Sequence, residues 1–164
     1  MATEIERKFL LLNDDWRAAA DDGTAYRQGY LVGSKQASVR VRIEGDQARL
    51  NIKSATLGIH RQEYEYTIPL ADAQEMLANL CAQPLVEKTR YHVYHGGRLW
   101  EIDVFGGDNA GLVVAEVELA REDDTVELPP WVGHEVSHQP RYYNVCLVDH
   151  PYKAWSAEER DAAD

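Results

Sequence analysis

The 164-residue sequence contains only two cysteines, Cys81 and Cys146. One pair cannot build the disulfide framework of a small secreted scaffold, and both residues sit among apolar neighbours. A reducing, cytoplasmic compartment is the expectation. No stretch approaches the ~18 apolar residues of a membrane span. The opening Met-Ala-Thr-Glu-Ile-Glu-Arg-Lys is charged where a secretory signal needs its apolar region. Lysine and arginine are scarce, 17 against 28 aspartates and glutamates, for a net charge of −11. That balance argues against nucleic acid and acidic membranes as partners, because phosphate backbones and headgroups need excess cations. A glycine-rich phosphate loop is also missing. Gly106-Gly107-Asp108-Asn109-Ala110-Gly111 has no Gly-Lys-Ser/Thr behind it.

What is present suits one domain. The apolar fraction of 45% and charged fraction of 27% are ordinary for a globular chain, and a chain this long buries roughly 70% of its unfolded surface. The acidity is uneven. Residues 13–23, 121–127 and 156–164 each carry −3, which leaves −2 for everything else. These three segments read as solvated helix faces, a loop and a tail, so a local cationic site fits within an acidic chain.

Period-two alternation dominates. It predicts strands over 2–12, 25–33, 37–45, 47–55, 60–69, 85–96, 98–105, 112–121 and 142–149. Turn residues separate several of them: Glu44-Gly45-Asp46, Gly96-Gly97 and 106–109. Helices are predicted over 14–20, after the Asn13 cap signal, over 71–81, and over 155–163. The expected fold is mainly β (α+β), a closed barrel or a sandwich.

On seven of these strands the residues of one parity are charged almost throughout. One face carries Glu4, Glu6 and Lys8, then Arg40, Arg42 and Glu44, then Asn51 and Lys53, then Glu63 and Glu65. Lys88, Arg90 and His92, then Glu101 and Asp103, and finally Glu116 and Glu118 continue the series. The opposite face is apolar. A water-facing sheet would account for any one strand. It does not account for like charges recurring at i and i+2, which repel unless something outside the chain compensates them. Acidic pairs suit hard divalent cations through oxygen ligands, and arginine forks suit phosphate oxygens. Both sets on one surface describe a site for a metal-complexed polyphosphate. If the sheet closes with its apolar face outward, these charges line the bore. With no Cys/His cluster, Mg²⁺ or Mn²⁺ is expected rather than zinc.

His134-Glu135-Val136-Ser137-His138 matches the HExxH zinc-protease pattern. That chemistry needs a helix carrying both histidines on one face. Pro129-Pro130 before it and Pro140 after it leave no room for one, so the motif is set aside.

Taken together, the residues resemble the CYTH superfamily, the triphosphate tunnel metalloenzymes. Glu4-x-Glu6-x-Lys8 is similar to its ExExK signature. Gln28-Gly29-Tyr30-Leu31, Val39-Arg40-Val41-Arg42, Lys53, Glu63-Tyr64-Glu65, Glu87-Lys88-Thr89-Arg90-Tyr91, 100–105, Glu116-Val117-Glu118, 133–137 and Arg141-Tyr142-Tyr143-Asn144 extend the likeness over about residues 2–153. One departure is Tyr143, where relatives often carry a small residue. The resemblance implies a closed eight-stranded antiparallel β-barrel tunnel with flanking helices over 1–153, and an acidic helix or tail over 154–164. It implies Mg²⁺- or Mn²⁺-dependent hydrolysis of a small-molecule polyphosphate, inorganic tripolyphosphate first. A class IV adenylate cyclase, a thiamine triphosphatase or a non-catalytic polyphosphate-binding module is the alternative, and monomer or homodimer stays open. It also implies a substrate cradle of Lys8, Arg40, Arg42, Lys53, Lys88, Arg90 and Arg141, and metal ligands Glu4, Glu6, Glu116 and Glu118. Glu63, Glu65 and Asp103 are metal or water-positioning candidates, and Lys8 and Tyr30 a catalytic pair.

Overall fold

The computed structural model describes residues 3–56 and 59–161. Strands β1 (Thr3–Leu11), β2 (Thr24–Gly33), β3 (Ala37–Glu44), β4 (Gln47–Ser54), β5 (His60–Ile68), β6 (Val86–His95), β7 (Arg98–Phe105) and β8 (Val113–Glu118) form an antiparallel sheet. Its order is β5-β4-β3-β2-β6-β7-β8-β1. The ring closes because β1 serves two neighbours. Thr3–Ile5 pair with β5, while Glu6–Leu10 pair with β8. Closure removes the exposed edges that an open sheet must protect. The hairpin turns fall where glycine allows them: Gly45, between β3 and β4, has φ +62°, and Gly97, between β6 and β7, has φ +74°.

The apolar face points outward, and the core is a set of patches on the barrel wall. Helix α1 (Leu70–Asn79) lays Ala73 and Leu77 over Val41, Ile43 and Ala48. The short 3₁₀ turn Asp15–Ala19 sets Trp16 with Phe9, Val93, Trp100, Ile102 and Trp131 on a second face. Each such side chain contributes about 1.5–3 kcal/mol of burial.

Two segments differ from the periodicity. Residues 142–149 are not a strand. After a 3₁₀ turn at Pro140–Tyr142 they form helix α2 (Asn144–Asp149). The edge of β1 at this end, at Phe9 and Leu11, is taken by another segment, so residues 142–149 do not extend the sheet. Instead Tyr142, Leu147 and Val148 pack against Tyr30, Val86, Phe105 and Val114. Val86, Phe105 and Val114 share the parity of the charged residues on their strands, as the register pairs Lys88↔Phe105 and Leu10↔Val114 show. The bore is therefore apolar at one end, and the C-terminal segment plugs it. Trp155 belongs to the same cluster, and α3 (Ala157–Arg160) follows, capped by Ser156 and Glu159.

The second difference is β9 (Val132–Glu135), an added strand on the free edge of β1. It holds His134 and Glu135 of the HExxH pattern in extended backbone, with Glu135 engaged by Arg7 at 2.7 Å. No helix presents the two histidines together. The predicted strand 112–121 stops at Glu118, where Asp124 accepts from the backbone of Ala120 and Arg121 and turns the chain. Ala2 of the first predicted strand and residues 162–163 of the last predicted helix lie outside the described residues. Among the described residues no helix is long and apolar enough to cross a membrane.

Candidate active site

The bore encloses a cavity of about 240 Å³. Its wall carries seven carboxylates (Glu4, Glu6, Glu63, Glu65, Glu101, Glu116, Glu118) and seven cations (Lys8, Arg40, Arg42, Lys53, Arg61, Lys88, Arg90). Tyr30 lines it too, and Tyr143, Asn144 and Val145 of the plug form its floor. Ladder register explains the convergence, because residues opposite one another share a face. Lys8 faces Glu116 and Glu6 faces Glu118 across β1–β8. Arg40 faces Tyr30 across β2–β3, and Lys53 faces Glu63 across β4–β5.

One part of the wall is locked by short ion pairs. Lys8 Nζ donates to Glu116 at 2.7 Å. Lys88 Nζ donates to Asp103 at 2.8 Å, and Arg90 makes a bidentate pair with the same carboxylate at 2.7 and 2.9 Å. Asp103 is fully buried and lies behind the two cations rather than in the cavity wall. Burial opposes its charge, yet Arg90 and Lys88 hold its pKa down to about 2. One carboxylate cannot neutralise two cations. Burial, with Arg90 and Arg40 nearby, therefore pushes the Lys88 ammonium down to about 8 despite Asp103. Lys8 is raised instead: burial works against its charge, but Glu116 and Glu6 outweigh it. Tyr26, on the inward parity of β2, supports this wall, its ring 5.1 Å from the guanidinium carbons of both Arg42 and Arg90.

Arg40 is different. It is 6% exposed, its Nε has no hydrogen-bond partner, and among the described residues it makes no ion pair. A buried guanidinium without a counter-ion costs several kcal/mol.

The acidic part shows the opposite imbalance. Burial, then the charge of Glu6, pushes Glu4 up to about 8, with Glu63 adding to the rise and Lys53 opposing it. Glu118 is raised by burial, then by Glu6, Glu101 and Glu63. Glu63 itself is held at about 2, because Lys53 and Asn51 overcome its burial. Buried carboxylates whose charged form is disfavoured by like-charged neighbours gain from a divalent cation. The donor set, all oxygen, fits a hard ion. No three of the described residues yet converge as ligands on one point.

Arg141 does not join this group. Its guanidinium lies over Tyr142 at 5.2 Å and Trp155 at 5.8 Å, in the plug and outside the cavity wall. No contact joins Lys8 to Tyr30; Lys8 is committed to Glu116, with its ammonium 5.9 Å from the Tyr143 ring. Sequence reasoning missed Arg61, although it shares the parity of Glu63 and Glu65. It also missed Tyr26, two residues before Gln28. Asn144, which accepts from Lys88 at 3.2 Å and Gln28 at 3.1 Å, lies in the stretch Arg141-Tyr142-Tyr143-Asn144 that carries the resemblance, but it was given no role in the site because its segment read as a strand.

The CYTH domain family profile matches residues 2–149. The chain belongs to the CYTH family. An inorganic triphosphatase of Acetivibrio thermocellus is 46% identical over 153 residues, covering 93% of this chain and 97% of the relative. An inorganic triphosphatase of Nitrosomonas europaea is 39% identical over 154 residues, covering 89% and 97%. The crystal structure of an inorganic triphosphatase superposes with a TM-score of 0.63 at 37% identity, covering 90% of this chain and 95% of the other. In the CYTH frame the closed barrel is the tunnel, and the enzymes built on it are metal-dependent.

Proposed function

We propose that this CYTH protein hydrolyses inorganic tripolyphosphate to pyrophosphate and phosphate, with Mg²⁺ or Mn²⁺. The observation that carries the reading is Arg40, buried in the bore with no ion-pair partner among the described residues, in a cavity it shares with the crowded carboxylates of Glu4, Glu6 and Glu118. An anion that brings its own divalent cation satisfies both at once.

Arg40, Arg42, Lys88 and Arg90 bind the phosphate chain, and Lys53 extends that wall. Asp103 holds Lys88 and Arg90 in place as a positioning residue, with Tyr26 as their spacer. Glu4, Glu6 and Glu118 would hold the metal. Glu116 is turned toward Lys8 and Arg90 and serves first to fix them, its pKa held well down by Lys8, Arg90 and Lys88 against burial. A bound divalent ion supplies charge neutralisation at the transferring phosphoryl group and lowers the pKa of water. The protein's part is electrostatic: fixed guanidinium and ammonium groups stabilise charge spread over the transferred group and its pyrophosphate leaving group. Lys8, kept charged by Glu116, faces that chain from β1, and Tyr30 lines the same space. Glu63 and Glu65, both accepting from Asn51 at 3.0 Å, would orient the attacking water. The cavity lies below the ~300–1,000 Å³ of pockets for drug-sized ligands, which favours a substrate with no base or thiazole attached.

The test is phosphate release from tripolyphosphate, ATP, thiamine triphosphate and pyrophosphate, each with Mg²⁺, Mn²⁺, Ca²⁺ or EDTA. Turnover of tripolyphosphate in Mg²⁺ or Mn²⁺, abolished by EDTA, is expected. Cyclic AMP from ATP, preferred turnover of thiamine triphosphate, or thermal stabilisation by tripolyphosphate without phosphate release would each replace the reading.

A further inference from the structure

The cations of the bore fall into two kinds. Lys8, Lys88 and Arg90 are fixed by hydrogen-bonded carboxylates at 2.7–2.8 Å. Arg61 is not. Its Nε lies 3.8 Å from Glu4 Oε1 and its Nη2 3.9 Å from Glu6 Oε1, both too long for hydrogen bonds. Its Nε is buried with no hydrogen-bond partner. The side chain is 12% exposed, so its charge is little screened. It rests on the ring of Tyr143, 5.1 Å from the centroid. The register Glu4↔Arg61 places it directly opposite the first of the two carboxylates.

We propose that Arg61 is a displaceable counter-ion: it stands between Glu4 and Glu6 in the metal-free protein and yields that place to the divalent cation, turning toward the phosphate chain. This rests on the reading of Glu4 and Glu6 as metal-holding carboxylates. A guanidinium held by charge alone leaves more readily than one held by geometry. Once a doubly charged ion sits between the two glutamates, Arg61 beside them meets like charge. A triphosphate in the same cavity then offers it oxygen acceptors for the five N–H donors its present place leaves poorly used. Metal and triphosphate thereby help each other to bind, and linkage requires the same factor in both directions. Tyr143 is the hinge surface. Its hydroxyl is anchored on the Ser137 carbonyl at 2.7 Å, so the ring stays in place while the guanidinium moves over it.

The experiment measures Mn²⁺ binding to the purified full chain, with no substrate, by electron paramagnetic resonance of the free ion. Wild type, Arg61→Gln and Arg61→Lys are compared, each checked for an unchanged melting temperature. Arg61→Gln removes the competitor, so Mn²⁺ alone should bind about tenfold more tightly, within the usual range of coupling between sites. Arg61→Lys keeps a cation and should stay near wild type. The Mn²⁺ activation constant at saturating tripolyphosphate should shift far less than the affinity for Mn²⁺ alone. Unchanged or weaker Mn²⁺ binding by Arg61→Gln overturns the proposal. Absence of Mn²⁺ binding in all three overturns it together with the metal assignment of Glu4 and Glu6. Hydrolysis of tripolyphosphate by wild type is scored separately, so loss of the proposed activity is not confused with loss of this role.

Discussion

Asp103→Asn removes the one carboxylate behind the cationic wall while preserving shape. Asp103 is fully buried and accepts from Lys88 and twice from Arg90. In the variant, two buried cations face a neutral amide whose NH₂ cannot accept. Removing one partner of a buried ion pair typically costs about 3–5 kcal/mol. For a chain of this length each kcal/mol lowers the melting temperature by about 2–4 °C, so a fall of about 6–20 °C is expected. The excess positive charge left behind is the charge a phosphate chain neutralises. Tripolyphosphate with EDTA, which prevents turnover, should therefore raise the melting temperature of Asp103→Asn more than that of wild type. Differential scanning calorimetry with and without tripolyphosphate reads both effects. A loss of less than about 2 °C, or an equal shift by tripolyphosphate in both proteins, would refute the claim that Asp103 balances a phosphate-binding wall.

Arg40→Ala removes a buried charge that has no ion-pair partner among the described residues, so the melting temperature should hold or rise. Calorimetric affinity for tripolyphosphate should fall about 10–100-fold, from the ~1.5–3 kcal/mol of a hydrogen bond to a charged group. Lys88, pushed down to about 8, binds the anion in its charged form, so affinity should decline above about pH 8. Binding near that pH should take up a proton, seen as a dependence of the binding enthalpy on the buffer's ionisation enthalpy. Asp103 sits at about 2 in the fold against ~3.9 unfolded. Its contribution to stability is complete above about pH 4 and lost as pH falls toward 2, which an acid titration of the melting temperature will show. Glu4→Gln deletes a carboxyl that burial and Glu6 already disfavour in its charged form, so stability should hold while Mn²⁺ affinity drops.

The inward face of the barrel was legible because like charges at i and i+2 are costly, and strand periodicity sends them to one side. Glu4/Glu6, Arg40/Arg42, Lys88/Arg90 and Glu116/Glu118 are found on that side. Ring closure was less legible, since it depends on Thr3–Ile5 meeting β5 some sixty residues away. Tyr142–Asp149 alternates like a strand, yet its fate was decided by an apolar barrel end that needed a plug. Val132–Glu135 hid between prolines and a metalloprotease-like pattern, and only the free edge of β1 made it a strand. Arg141 sits in a stretch similar to the family's closing segment, but its guanidinium stacks on Trp155 instead of entering the bore. Arg61 was overlooked because it breaks the like-charge rhythm of Glu63 and Glu65, although it shares their face.

The central claim is that the bore holds a divalent metal against Glu4 and Glu6 and a phosphate chain against Arg40, Arg42, Lys88 and Arg90. A crystal of the protein soaked with Mn²⁺ and tripolyphosphate tests it directly, through the anomalous signal of manganese. The expected map has a manganese peak beside Glu4 and Glu6 and linked phosphate density along the arginine wall. Manganese and phosphate bound outside the barrel, with only water in the cavity, would contradict it.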